Sequence, residues 1–503
     1  MPNPSSIAPA ADPVTGPTAD ATVPRLANFV GGRWVELADR EAIDCRDPAT
    51  GELIATVPLS GADDVDRAVR AAREAFPGWR ATSPARRARA LFGLRDLLTR
   101  HADELAEIVT RDMGKTTADA RAEVGRGIES VEAACAAPHM LKGENLEGVG
   151  TGVDVELVRQ PVGVVAGITP FNFPAMIPLW FLPYAVACGN TVVMKPSEAD
   201  PLTSVRMIEL IAEAELFPPG VVNLVNGAHD AVDGLLDHPG VDAISFVGSA
   251  RTARYVYERA ATRGKRVQAL GGAKNAMVVM PDADPELMLD GVLSSAFGAA
   301  GQRCLAGSIA VLVGTPEEQD RARERIVAGA RRLRTGPGGD SETDVCPLVS
   351  VQARERLEGE IEAAAGEAEI ALDGRGAPGK GGAELRPTII DHAPLDSRAV
   401  TEELFGPVLT LLRARELGDA IEIVNSSRYG NASVIFTSSG QAARSYRYSV
   451  EAGMVGVNVG VAAPVAWFPF AGWKDSFDGD LHANGADAFE FYTRKKVVTS
   501  RWT

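Results

Sequence analysis

Cys304 sits within the run F-G-A-A-G-Q-R-C-L-A-G-S, Phe297 to Ser308, and follows directly on the cation Arg303. Small residues let backbone, ligand and substrate crowd one sulfur atom, and a nearby guanidinium favours the thiolate, the reactive form of a thiol. The same pattern also describes a buried structural cysteine, and on this motif alone the two readings stand level. In T-P-F-N-F-P, Thr169 to Pro174, Asn172 has a side-chain amide that could donate to a developing oxyanion or simply cap a loop. K-P-S-E, Lys195 to Glu198, offers a lysine for a ribose hydroxyl or phosphate. Its Glu198 suits a ribose 2′-hydroxyl, which favours NAD over NADP. F-V-G-S-A-R-T-A, Phe246 to Ala253, reads as a strand, a Gly-Ser turn and a helix start suited to a pyrophosphate. E-E-L-F-G-P-V, Glu402 to Val408, sets a carboxylate and an aromatic before a Gly-Pro turn, where a loop staple is the plainer reading. Arg126, between two glycines in E-V-G-R-G-I-E, reads first as a solvated surface charge.

The elements that must position these residues follow from periodicity. N-F-V-G-G-R-W-V from Asn28 reads as a hairpin turning at Gly31 and Gly32. Helices are expected after Ser60, which could cap the first, after Ser83-Pro84, and from about Thr117 to Ala136. From Val162 short apolar runs alternate with helical patterns: V-G-V-V-A-G-I, T-V-V-M, V-V-N-L-V and A-I-S-F-V. That alternation implies an α/β fold with a parallel, doubly wound sheet, which binds ligands at the carboxyl ends of its strands. A second α/β segment follows Ala269, with strands at I-A-V-L-V, Ser433 to Phe436 and Met454 to Val459 and a charged helix from Pro316. Gly374 to Gly382 reads as a flexible loop.

A chain of 503 residues needs two or three domains. Its net charge of −16 argues against nucleic acid, whose phosphates are bound by clustered Lys and Arg. Five scattered cysteines, with no C-x-x-C pair, form neither a disulfide framework nor a zinc site and fit a reducing cytoplasm. No metal is expected. No apolar run reaches the ~20 residues of a membrane span, and residues 1–24 read as a disordered tail rather than a signal peptide.

Taken in order, F-N-F-P, K-P-S-E, F-V-G-S, L-G-G, G-Q-R-C and E-E-L-F-G-P-V resemble the aldehyde dehydrogenase superfamily from about residue 28 onward. The resemblance implies a Rossmann-type NAD-binding domain over 25–142 and 163–268 and an α/β catalytic domain over 269–475. It also implies a small β oligomerisation arm from 143–162 and 476–503, and a homo-oligomer, most simply a tetramer. It makes Cys304 the nucleophile and Asn172 the oxyanion donor. The cofactor contacts become Thr169, Phe171, Lys195, Glu198, Gly248, Ser249, Gly271, Glu403 and Phe405, with Glu403 at the nicotinamide ribose.

Hydrolytic members of that superfamily carry E-L-G-G, whose Glu activates the water that cleaves the acyl-enzyme. Here the text is Q-A-L-G-G, which puts Ala269 at that position. A methyl group cannot deprotonate water, and a general base is worth about a hundredfold or more. With G-A-K-N, G-W-K-D-S-F-D-G-D-L-H-A-N-G and F-Y-T-R-K-K-V-V, the chain resembles the CoA-acylating methylmalonate-semialdehyde dehydrogenase branch. That resemblance implies oxidation of malonate or methylmalonate semialdehyde to acetyl-CoA or propionyl-CoA, with NAD reduced, CO2 lost and coenzyme A as co-substrate. Arg126 and Arg303 then become the ligands of the substrate carboxylate, a task a bidentate guanidinium suits. Valine, inositol and β-alanine breakdown could each supply such a substrate. The chain departs from the branch at Ala276, often a His there, and at Leu305-Ala306-Gly307-Ser308, where Met-Ala-Leu-Ser is common. The competing readings are a hydrolytic aldehyde dehydrogenase with a replacement base, giving the free acid, and a non-catalytic protein that kept the fold.

Overall fold

The computed structural model describes residues 23–377 and 379–502. The expected hairpin forms, Asn28–Val30 against Arg33–Val35, and Gly31 and Gly32 turn it with φ of 61° and 83°. It is the edge of an eight-stranded sheet whose five inner strands are parallel. In spatial order these are Val222–Leu224, Thr191–Lys195, Val164–Ile168, Ala243–Val247 and Arg266–Leu270. All but the first residue of the last strand are buried, because helices cover both faces, and a strand covered on both sides has no polar face to alternate. The chain runs from Val164–Ile168 to one side of the sheet, then returns to lay Ala243–Val247 on the other. The crevice of such a sheet opens at that reversal.

Most of a second, seven-stranded sheet is also parallel, running Thr388–Asp391, Val408–Ala414, Gly307–Val313, Asn275–Val279, Ala432–Phe436 and Met454–Val457, with Glu369–Leu372 antiparallel at one edge. A third, antiparallel sheet joins Glu144–Gly150 and Val153–Pro161 to Thr493–Arg501.

Three expectations need correction. Phe477–Gly479, placed in the arm by the sequence, is instead the far edge strand of the eight-stranded sheet, paired with Gln268 to Leu270. The helix after it, Gly485–Phe491, packs Phe489 and Phe491 into the same core as Tyr184 and Leu182, so the chain joins the third sheet only at Thr493. The first helix, Ala62–Ala81, takes Gly61 as its N-cap, since the Ser60 hydroxyl is turned to the Asn28 side-chain amide at 2.9 Å. The tail expected over 1–24 lies outside the described residues up to residue 22. Beyond it, the Pro24 carbonyl already accepts from the Thr56 N–H at 2.9 Å.

Candidate active site

Four of the expected cofactor motifs leave the carboxyl end of a parallel strand. Thr169 to Asn172 follow Val164–Ile168, Lys195 ends Thr191–Lys195, Gly248 and Ser249 follow Ala243–Val247, and Gly271 follows Arg266–Leu270. With Glu403 and Phe405 they line a cleft of about 650 Å³. Ser249 caps the helix Ala250–Thr262, accepting from the Thr252 N–H at 3.3 Å. Lys195 is buried and its ammonium meets the Glu198 carboxylate at 2.6 Å. Phe171 and Phe405 meet edge to face with centroids 5.7 Å apart. Phe405 holds φ at 58°, a left-handed conformation that costs about 1–2 kcal/mol outside glycine and tends to mark a functional position. The Glu403 carboxylate accepts from the Ala273 N–H at 3.0 Å, and burial pushes its carboxyl up to about 7.

Cys304 alone among the five cysteines keeps part of its surface open; the other four are buried. A helix, Pro285–Phe297, ends in the tight turn Gly298–Gly301, where Ala299 and Ala300 sit left-handed at φ 49° and 53°. Gly301, at φ 68°, lies so close to the 405–407 turn that a Cβ would stand 2.2 Å from the Gly406 carbonyl oxygen. Beyond it the Cys304 carbonyl accepts from both Asn275 and Asn431 side chains, at 2.9 and 2.8 Å, which ties the loop to two strands of the second sheet. Asn172 is buried and donates to the neighbouring Gln302 carbonyl at 3.0 Å. One N–H of its amide is so used, leaving the other for a ligand.

On its far side Cys304 lines a second cavity, of about 220 Å³, walled by Phe173, Met176, Trp180, Leu305 and Phe470. Arg126 and Arg303 both reach it, so the sequence's plainer reading of Arg126 as a surface charge falls. Neither guanidinium is free. Arg303 meets Asp119 at 2.8 Å, and Arg126 meets Glu129 at 2.7 Å and donates to the Pro464 carbonyl. Lys115, wholly enclosed, meets Glu123 at 2.5 Å and lies 3.7 Å above the Phe173 ring.

The sequence expectation that Arg303 primes the thiolate does not hold, because its charge is spent on Asp119. Burial first, and then the Glu403 charge, push the Cys304 thiol up to about 12, with Lys115 among the groups pulling the other way. Ala269 contributes no surface to the site. Its methyl is fully buried in the core with Phe246 and Ala253 and lines neither cavity, while Leu270 beside it packs in the cluster that includes Cys304. Ala276 is likewise buried in its strand, away from both cavities, whereas Leu305 forms substrate-side wall.

Sequence reasoning missed Lys115, Asp119, Glu123, Glu129 and Asn431. For three of them a signal existed: Asp119, Glu123, Arg126 and Glu129 recur every three or four residues, one face of the helix Thr117–Ala134.

Two largely parallel sheets thus hold a thiol between a cleft at strand ends and a charged cavity. The aldehyde dehydrogenase family model matches residues 34–498, and the chain belongs to that family. Among its relatives is malonate-semialdehyde dehydrogenase 1 of Geobacillus kaustophilus, 49% identical over 480 residues, 95% of this chain and 98% of that one. The crystal structure of methylmalonate-semialdehyde dehydrogenase from Oceanimonas doudoroffii superposes with a TM-score of 0.92 at 43% identity, covering 95% of this chain and 98% of the other. A Sinorhizobium meliloti protein crystallised with NAD gives a TM-score of 0.94 at 42% identity, covering 96% and 99%. Among the described residues no helix is long and apolar enough to cross a membrane.

Proposed function

We propose that this chain oxidises malonate or methylmalonate semialdehyde with NAD, releases CO2, and passes the acyl group to coenzyme A. The observation that carries the reading is the place of Cys304, with a cofactor-sized cleft on one side and two arginines across a small cavity on the other. The names of its relatives point to the same substrates.

The donor set of the cleft fits a dinucleotide: Lys195, Glu198 and Glu403 for ribose hydroxyls, Ser249 at a helix N-terminus for phosphate, and two aromatic rings. NAD, when bound, supplies the acceptor for the hydride whose loss turns the Cys304 hemithioacetal into a thioester. The chain does the rest. Cys304 loses its proton and its sulfur attacks the aldehyde carbon, while the free N–H of Asn172 holds the oxygen as it gains charge. Arg126 and Arg303 orient the β-carboxylate until its bond to the α-carbon breaks. The electron pair then spreads into the thioester carbonyl, CO2 departs and a proton adds to the α-carbon. At the position where hydrolytic members of the family carry a water-activating Glu this chain has Ala269, so the thiol of coenzyme A accepts the acyl group.

We further propose that 25–142, 163–268 and the segment through Phe491 form the NAD-binding domain and 269–475 the catalytic domain. The third sheet is then the arm of a cytoplasmic homotetramer. Leu146, Val149 and Val497, exposed on that sheet, are apolar side chains suited to cover by a second copy.

A second reading has one observation in its favour. Glu403 faces the same cleft as Cys304 with its carboxyl near 7, a value suited to a general base for water. Steady-state assays with malonate semialdehyde and NAD separate the two. Without coenzyme A, the acylating reading expects one burst equivalent of NADH per subunit and little after it. Multiple turnovers at an undiminished rate would overturn it.

A further inference from the structure

A cavity that receives an anion grips it hardest when its cations are unpaired, yet all three cations of the substrate cavity carry an acid partner. The pairs are Arg303 with Asp119, Arg126 with Glu129 and Lys115 with Glu123, and all six residues line the one cavity. Glu123 has a second task, since its other oxygen accepts from the Ala175 and Met176 N–H groups and fixes the loop that carries Asn172. Asp119 has one as well, accepting from the Ala299 N–H at 3.3 Å in the left-handed turn before Cys304. Glu129 meets only Arg126 among the described residues.

We infer that Asp119 and Glu129 are positioning counter-ions that weaken the hold of Arg303 and Arg126 on the substrate carboxylate, so that it leaves readily as CO2. This rests on the functional reading above. When the bond from the carboxyl to the α-carbon breaks, the negative charge moves onto the α-carbon and thioester oxygen, and the carboxyl carbon departs neutral. A guanidinium that grips the carboxylate therefore stabilises the ground state more than the transition state, and a tighter grip slows the step. An acid at 2.7 or 2.8 Å offsets much of that charge while leaving N–H groups to orient the substrate. A guanidinium has five, and each arginine spends two on the protein contacts recorded here.

The test compares the intact enzyme with Glu129→Gln, which removes one charge and keeps an acceptor oxygen for Arg126, and with Asp119→Asn, whose single amide oxygen can serve only one of Arg303 and the Ala299 N–H. Two quantities are measured with malonate semialdehyde: its KM, and the single-turnover rate of CO2 release from labelled carboxyl carbon. Removing the acid is expected to lower KM and slow CO2 release, each by about three- to tenfold. The ratio of kcat/KM for the semialdehyde to that for propanal, which has no carboxylate, should rise in step. A KM that fails to fall, or CO2 release at the wild-type rate, overturns the inference. Glu129→Gln guards against misfolding, since that side chain bonds only to Arg126 and a thermal melt reports whether the variant folds. If wild-type enzyme oxidises propanal but releases no CO2 from malonate semialdehyde, the functional reading itself has failed, and the two failures are told apart.

Discussion

The two faces of Cys304 are built on different principles. The cofactor face is wide, about 650 Å³, and is assembled from strand ends, each contributing one or two residues of a short motif. The substrate face is narrow, about 220 Å³, and most of its charge comes from a single helix, Thr117–Ala134, laid across the nucleophile loop. One face offers hydroxyl-binding groups and aromatic rings to a large ligand. The other offers six charges in three neutral pairs to a small anion. Between them burial and the Glu403 charge push the cysteine's thiol up to about 12.

Breaking the junction itself has the largest expected effect. Cys304→Ser should lower kcat by on the order of 10⁴-fold with either aldehyde class; measurable burst NADH in that variant would move the chemistry elsewhere. Removing the oxyanion donor comes next. Asn172→Ala should cost about 10²–10³-fold in kcat, while KM for NAD stays within a few-fold, as steady-state kinetics would show. The thiol's own titration sharpens the contrast between the faces. Because its pKa is raised, the thiolate fraction at pH 7 lies below that of a free cysteine. Alkylation of Cys304 by iodoacetamide should therefore climb about tenfold per pH unit through pH 10. A plateau setting in at about pH 9–10 would show an unshifted thiol. The smallest effect falls on the carboxylate that both faces feel. Glu403→Gln removes a charge that raises the thiol pKa, so alkylation at pH 8 should speed up a few-fold even as KM for NAD worsens.

The cofactor face was legible in the sequence because each motif is punctuated: a buried apolar run ends, and Thr169-Pro170, Lys195-Pro196 or Gly248-Ser249 begins. The parallel sheets were legible for the same reason. The substrate face was not. Asp119, Glu123 and Arg126 visibly share a helix face, but nothing local says that this face turns inward. It does so because Gly127 lets the helix settle onto Pro178–Ala187, where a Cβ would meet Leu179 at 2.7 Å. Ionic partners across 184 residues of chain, such as Asp119 and Arg303, have no short-range signature. The edge strand Phe477–Gly479 escaped too, since three residues are too few for a period to show and its place is set by pairing with Gln268 to Leu270. Ala269 misled in a different way. The substitution is real in the sequence, but its side chain belongs to the core, and the carboxylate that the cleft does present alongside Cys304 is Glu403.

The fate of the acyl group is the central question, and intact-protein mass spectrometry reads it directly. After malonate semialdehyde and NAD without coenzyme A, Cys304 should carry a stable acetyl group, discharged as acetyl-CoA when coenzyme A is added. Unmodified protein, with free acetate accumulating in the absence of any thiol acceptor, would contradict the account.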